Sequence, residues 1–255
     1  MLNIFKNEIY KSLTKGKILA YLIFLTLIIS VVGIIIKINI LDLTVQDGLI
    51  QFLKYNLTFI LVKTLTPILV KTLTPILLII VTAAVIADDY SSGVMKFFLI
   101  SKIDKKAIII GKLLYLVSLT LINTVIMFII LSIVGGILAG DFSNIFSSEY
   151  IKVINAYIIT SFGMLPIILV TAVIALIVDN FNQTIGISIS VLIASLMIDS
   201  LTSNILGITP TSLISYGYKL VGNISNKILI IAVLLSVSYI VVLSLSSIKI
   251  FNKKD

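Results

Sequence analysis

Long apolar segments separated by short polar stretches dominate this chain. A helix needs about 20 largely apolar residues to cross a bilayer, and six segments meet that requirement. They are too long for outer-membrane strands and lack the alternation that such strands show. The predicted fold class is therefore an all-α polytopic membrane protein, with six transmembrane helices at about 18–36, within 57–87, and at about 113–139, 153–178, 184–198 and 228–248.

The composition agrees with this fold class and excludes most enzymes. Of the 255 residues, 59% are apolar and 12% are charged, and the chain contains no Cys or His. It therefore offers no thiol or imidazole as nucleophile, base or metal ligand. The Gly-Lys pairs at 16–17 and 111–112 lack the upstream glycine of a phosphate-binding loop. All eleven acidic residues lie at or beyond the predicted span ends, so we expect no metal site, proton relay or catalytic residue, and no cofactor in this chain.

Lysine placement predicts the orientation of the spans. Short loops rich in lysine stay on the cytoplasmic side, so both termini are expected in the cytoplasm and the chain in a bacterial plasma membrane. The net charge of +8 then reflects topology and contact with membrane lipids, and no nucleic-acid partner is expected. The side predicted to be cytoplasmic carries Lys6, Lys11, Lys15, Lys17, Lys96, Lys102, Lys105, Lys106, Lys112, Lys249, Lys253 and Lys254, whereas the other side carries Lys37, Lys54, Lys152, Lys219 and Lys227.

The first residues predict an amphipathic helix. Leu2, Phe5, Ile9 and Leu13 recur at helical spacing, and lysines occupy other positions on the wheel. This pattern is typical of a short helix lying in the membrane interface before the first span. The alternative is a solvated basic flank that only orients that span.

A tandem repeat lengthens the second apolar segment. The octapeptide LVKTLTPI occupies residues 61–68 and again 69–76. It places Lys63 and Lys71 in the outer half of this segment, where a cation is costly. Lys71 either faces an internal path or extends its ammonium group to the surface.

The segment 84–114 predicts a docking element between spans two and three. Asp88 or Asp89 can cap a helix that begins near Tyr90. An apolar face follows, with Lys96 and Lys102 available to a partner. A short helix of this kind could lie across the membrane base and dock on a cytosolic protein.

This stretch resembles the permease subunits of ABC type 2 exporters, which include bacterial drug, bacteriocin-immunity and polysaccharide exporters. The matching residues follow the family order: Asp88 or Asp89, Gly93, Lys96, Ser101, Lys105 and Gly111-Lys112. The layout is also similar, with an N-terminal amphipathic helix, six spans, both ends inside, and a polar outer segment at 199–227 that resembles the external helices of the family.

The resemblance implies a division of labour between chains. Two permeases, identical or homologous, would form the transmembrane path, and a separate ATP-binding subunit carrying ATP and Mg would dock beneath each one. The implied coupling residues are Asp88, Asp89, Gly93, Lys96, Phe97, Ser101, Lys102 and Lys105, and the implied path residues are Thr64, Lys71, Thr72, Ser188 and Ser190.

Two further points stay open at the level of sequence. The Ser and Thr hydroxyls could line a path or could bond back to their own helices. Gly186, Ser190 and Ala194 recur every four residues and would allow close approach of a second helix.

The expected function is the membrane subunit of an ATP-driven exporter of an amphipathic peptide, antibiotic or lipid-like compound. Alternating access needs a source of free energy, and this chain offers neither a nucleotide site nor an ion relay. The alternative is a non-transporting immunity or sensor protein that binds a peptide at its outer face. The single domain 1–255 would comprise an elbow at 1–17, spans at 18–87, a coupling loop at 88–112, spans at 113–178 and 184–248, and a tail at 249–255.

Overall fold

A computed structural model describes residues 2–14, 28, 31, 72–95, 104–139, 148–201, 209–219 and 226–253. Most of the first predicted span, the first copy of the tandem repeat and the middle of the predicted coupling loop lie outside these ranges. Lys96, Phe97, Ser101 and Lys102 of the predicted coupling set, and Thr64 and Lys71 of the predicted path, are among the residues outside.

The described ranges are helical and contain no strand, which confirms the all-α prediction for this part of the chain. Five of the helices are long and apolar enough to cross a membrane, as expected of an integral membrane protein, and they coincide with predicted spans two to six. The helices are α1 (Leu2–Thr14), α2 (Thr74–Ser91), α3 (Lys105–Ala139), α4 (Ser148–Val178), α5 (Phe181–Leu201), α6 (Pro210–Lys219) and α7 (Asn226–Asn252).

Side-chain contacts show that α2 runs antiparallel to α3 and in the same direction as α7. At one end of α2, the Thr74 hydroxyl donates to the Met127 sulfur of α3 at 3.5 Å. At its other end, Asp89 contacts Lys112 near the start of α3, and the ring of Tyr90 meets that of Phe251 at the end of α7. We call the end of the bundle that contains Asp89, Tyr90, Lys112 and Phe251 the base.

The core of the bundle surrounds α4, which packs against α2, α3, α5, α6 and α7. Its inner face is closed by small and branched residues such as Ala172, Ala175 and Leu176, which are buried. By contrast, α7 exposes Leu234, Val242 and Leu245. Large apolar side chains on the outside of a helix are the surface expected against lipid chains.

The short helix α6 is enclosed at the end of the bundle opposite the base. Its residues 211–215 are all buried, and it packs on α4, α5 and α7. Gly163 of α4 allows α6 to pack this closely, because a Cβ there would lie 2.6 Å from the backbone of Leu213 and Ile214. Pro166 lies one turn further along the same helix.

Asp199 holds the start of α6. Its carboxylate accepts hydrogen bonds from the hydroxyls of Thr209 and Thr211, the latter at 2.6 Å. A carboxylate beside the first turn of a helix is favoured by the free N–H groups and by the helix dipole. The end of α5 and the start of α6 are therefore fixed to each other.

One local prediction is wrong. Asp88 and Asp89 do not cap a helix beginning near Tyr90, because α2 continues through Ser91 and helical residues resume only at Val94. The Asp88 carbonyl instead accepts hydrogen bonds from the backbone N–H of Ser92 and from the Ser91 hydroxyl. The two acids thus belong to the last turn of the span, where side chains can reach inward.

Candidate functional site

The end of α2 is the point at which the elements of the base meet. Asp89 faces α1 and α3, whereas the next residue, Tyr90, faces α7 and the turn between α4 and α5. Consecutive helical positions point about 100° apart, so one residue pair can join both sides of the bundle. Segment 92–104 connects the end of α2 to the start of α3.

Lys112 is the central residue of this site. Its side chain is fully buried, and its ammonium group donates to Glu8 Oε1 at 2.7 Å, Asp89 Oδ2 at 2.5 Å and the Val85 carbonyl at 2.8 Å. An ammonium group has three donors, and all three are used. The carbonyl lies near the C-terminal end of α2, where a cation is also favoured by the helix dipole.

Lys11 completes a cluster of four charges. Its ammonium group pairs with the other oxygen of Asp89, and it is partly exposed, whereas Asp89 and Glu8 are buried. We call Glu8, Lys11, Asp89 and Lys112 the ion cluster. Two carboxylates and two ammonium groups cancel in formal charge, which is the condition under which buried charges are tolerated.

The ion cluster joins three elements that are distant in sequence. Glu8 and Lys11 belong to α1, Asp89 to α2 and Lys112 to α3. Ser12 of α1 also lies beside the buried Tyr115 of α3. The helix α1 is therefore docked on the two helix ends that flank segment 92–104.

The face by which α1 docks differs from the predicted apolar face. Ile4 and Glu8 are its buried residues, Phe5 and Ile9 are half-buried, and Leu2 is 65% exposed. The side chain of Leu13 lies outside the described part. The predicted helix is confirmed, but a buried acid lies at the centre of its docking face and Leu2 points away from the bundle.

Gly93 ends α2. It adopts φ 76°, and its N–H bonds to the Tyr90 carbonyl at 3.1 Å. This left-handed conformation after the last helical turn is the usual place for glycine, because a Cβ is disfavoured there. Of the other predicted coupling residues, Asp88 is half-buried in the last turn of α2 and Lys105 begins α3.

The predicted path residues on α5 lie on different faces. Ser188 is buried, whereas Ser190 is exposed and its hydroxyl donates to the Gly186 carbonyl at 2.9 Å. The exposed face, with Gly186, Ser190 and Ala194, borders an open groove of about 560 Å³. The back-bonding alternative is thus confirmed for Ser190. In the described part of the chain the hydroxyls of Ser188 and Thr184 have no hydrogen-bond partner.

Sequence reasoning missed Glu8 and Lys11 as members of the site and did not foresee that Lys112 is buried. One signal was available: Glu8 is the only acidic residue before Asp42, and it lies on a helix otherwise rich in lysine. The pairing itself could not be read from the sequence, because Glu8 and Lys112 are separated by more than a hundred positions. Thr72, a predicted path residue, lies exposed at the first described position before α2.

Removing the α1 half of the ion cluster tests whether it docks this helix. The double variant Glu8→Ala/Lys11→Ala keeps the Asp89–Lys112 pair neutral while α1 loses charge-assisted hydrogen bonds of about 1.5–3 kcal/mol each. We expect faster amide exchange in residues 2–14, measured by hydrogen–deuterium exchange, with α2 and α3 still protected. The control Lys6→Ala/Asn7→Ala changes exposed positions of the same helix and should leave exchange as in the wild type. Equal exchange in both double variants would show that the cluster does not hold α1.

Comparison with known proteins gives a family for the chain. No curated protein matches it. Residues 34–255, which include α2 to α7, match DUF2705, a family described as a protein of unknown function. Because the match covers well over half of the sequence, the chain belongs to the DUF2705 family.

Proposed function

We propose that this protein is the membrane-spanning subunit of an ATP-driven exporter, resembling the permeases of ABC type 2 exporters. The observation that carries the proposal is the ion cluster, which joins α1, the end of α2 and the first turns of α3, the two helices that segment 92–104 connects. A partner that pushed on this segment would move three helices together. A transporter without its own energy source requires helices that move together when another subunit pushes on them.

The proposal assigns the energy source to another chain. The sequence has no phosphate-binding loop, and its acids lie at the span ends. A change between two transport states requires a ligand or reaction that favours one of them. A separate ATP-binding subunit with ATP and Mg would supply this at the cytoplasmic side, where the lysine distribution predicts that the base lies.

Charges in the loop should hold the ATPase. The chain, tagged and purified from its native membranes, is expected to bring a P-loop ATPase with it. Reversing Lys102 and Lys105 to Glu should release most of this ATPase, because the partner would meet repulsion in place of attraction. The readout is the ratio of ATPase to permease after purification.

A matched control separates specific docking from general charge. Lys249→Glu/Lys253→Glu makes the same change in charge at the end of α7, also at the base. This variant should keep the ATPase. Equal retention of the ATPase by both variants, or the absence of any P-loop ATPase from the wild-type preparation, would contradict the proposed function and favour a non-transporting membrane protein.

A further inference from the structure

Asn123 lies inside α3 with an amide group that bonds to nothing in the described part of the chain. The side chain is 4% exposed, and neither its oxygen nor its nitrogen has a hydrogen-bond partner among the described residues. Its neighbours differ, because the hydroxyls of Thr120 and Thr124 donate to carbonyls of their own helix at 2.7 and 2.8 Å. The hydrogen-bonding capacity of Asn123 is therefore unused in this arrangement.

Helical geometry places Asn123 on the face of α3 that looks toward α2. It lies three turns beyond Lys112, which contacts Asp89 and Val85 of α2, and one turn before Met127, which contacts Thr74. Three turns correspond to about 16 Å along the axis. Measured from the base, this depth is near the middle of a hydrocarbon layer of about 30 Å.

The surroundings decide what could satisfy this amide. The same face of α3 carries the buried apolar residues Leu116 and Met127, and the nearby hydroxyls are already bonded. A buried water molecule needs two to four polar partners, and on this face the described residues offer few groups besides the amide itself. An ion would be unneutralised at this depth and strongly disfavoured. A neutral group that both donates and accepts would match the carboxamide and bring its own pairing.

We propose that Asn123 is a binding residue for a peptide amide group of the transported substrate, an inference that rests on the proposed export function. A peptide group offers one N–H and one C=O, which complement the oxygen and nitrogen of a carboxamide. We call the contact between α2 and α3 around Asn123 the α2–α3 seam. The amide of Asn123 has no hydrogen-bond partner among the described residues when this seam is closed, and a substrate that entered the seam would supply one. This assigns the substrate to the peptide class, ahead of lipids that carry no amide.

The orphaned amide also gives selectivity. A site built to hydrogen-bond a ligand group rejects an analogue that lacks the group, because the polar partner is then left buried and unpaired. A peptide with N-methylated backbone amides keeps its side chains and carbonyl acceptors but loses its N–H donors. Asn123 should therefore discriminate strongly between a peptide and its N-methylated form.

The test uses the permease reconstituted with its ATPase in phospholipid vesicles. The probe is a short, uncharged peptide rich in Leu and Ala with capped termini, and the readout is the peptide concentration that half-maximally stimulates ATP hydrolysis. Asn123→Leu should raise that concentration roughly tenfold or more, as expected when a buried polar contact is lost. Asn123→Gln keeps the amide and should fall between Asn123→Leu and the wild type.

Two comparisons separate binding from a merely structural role. Thr124→Val removes a hydroxyl that bonds to its own helix, one position from Asn123, and should leave the half-maximal concentration unchanged. Asn123→Leu should unfold at the same temperature as the wild type or higher, since no hydrogen bond within the protein is broken.

Three results would overturn the inference. They are an unchanged half-maximal concentration in Asn123→Leu, equal stimulation by the peptide and its N-methylated form, and a peptide that fails to stimulate the wild-type complex. Each of these leaves the assembly of permease and ATPase in place. Failure of the proposed function itself would appear earlier, as the absence of any ATPase bound to the chain, and would remove both proposals.

Discussion

Substituting Lys112 by Met is expected to destabilise the protein more than any other single change at the base. The variant leaves Glu8 and Asp89 buried with Lys11 as the remaining cation of the ion cluster, and among the described residues Lys11 pairs with Asp89 and not with Glu8. Breaking a buried ion pair by removing one partner costs about 3–5 kcal/mol, because a charge remains uncompensated. The Val85 carbonyl also loses a donor.

The loss should be visible as a lower midpoint of thermal unfolding in detergent and as lower abundance in the membrane. The control is Lys106→Met, which removes the same charge from an exposed position of the same helix. Exposed charges contribute about 0–1 kcal/mol, so this variant should resemble the wild type. Similar stability of the two lysine variants would mean that the ion cluster is not a structural joint.

The second large effect is expected at Gly163, where α4 and α6 touch through their backbones. A Cβ at this position would lie 2.6 Å from Ile214 N and from the Leu213 carbonyl carbon, and backbone atoms cannot move aside as the tip of a side chain can. Gly163→Ala should therefore cost about 1–3 kcal/mol, the range for overpacking a core. The added methyl group would push α6 away from α4 and weaken the hydrogen bonds from Thr209 and Thr211 to Asp199.

Gly186→Ala is the matched control for this effect. A methyl group at Gly186 would meet no atom of the described residues within 4 Å, and replacing glycine in a helix by alanine stabilises it by about 0.5–1 kcal/mol. The two variants should thus shift the unfolding midpoint in opposite directions. Stabilisation by both substitutions would show that α6 does not lie against Gly163.

The long helices could be predicted because a bilayer imposes their length and apolar character on the sequence. Predicted spans two to six correspond to α2, α3, α4, α5 and α7. The helix at the N-terminus was also predictable from its period. The helical spacing of the apolar residues does not reveal which face of α1 is buried, because a charged residue is expected to be exposed unless its partner is known. Glu8 is buried only because Lys112 lies opposite.

The site was harder to predict than the helices, since it depends on contacts between distant segments. The sequence alone predicts that the acids at the end of α2 cap a new helix. Their true position in the last turn of α2 turns Asp89 inward, to Lys112. The motif around Gly111-Lys112 drew attention to the right lysine, but its burial appears only when α1, α2 and α3 are seen together.

Asn123 illustrates a different limit. An amide in the middle of an apolar helix is visible in the sequence, but whether it is bonded depends on the neighbouring helices. Most buried hydroxyls in the described helices bond back to their own backbone and need no partner elsewhere. Only the structure separates these from a side chain whose hydrogen bonds are unmet.

Under the proposed function, a movement at the base precedes the opening of the α2–α3 seam. A movement of segment 92–104 would reach α2 and α3 together, since the ion cluster holds their ends and α1 as one unit. The same two helices flank Asn123 above the base. Separation of their upper parts would then expose the amide to a substrate, while the cluster remained closed beneath it.

Reconstitution in sealed vesicles tests the central claim most directly, which is that this chain transports only when another subunit hydrolyses ATP. The measurement is accumulation of a fluorescent amphipathic peptide against its gradient, with the chain alone or with its ATPase. We expect accumulation only when the ATPase and Mg-ATP are both present, and none with the chain alone under ATP, a proton gradient or a sodium gradient. Uphill accumulation by the chain alone would contradict the account.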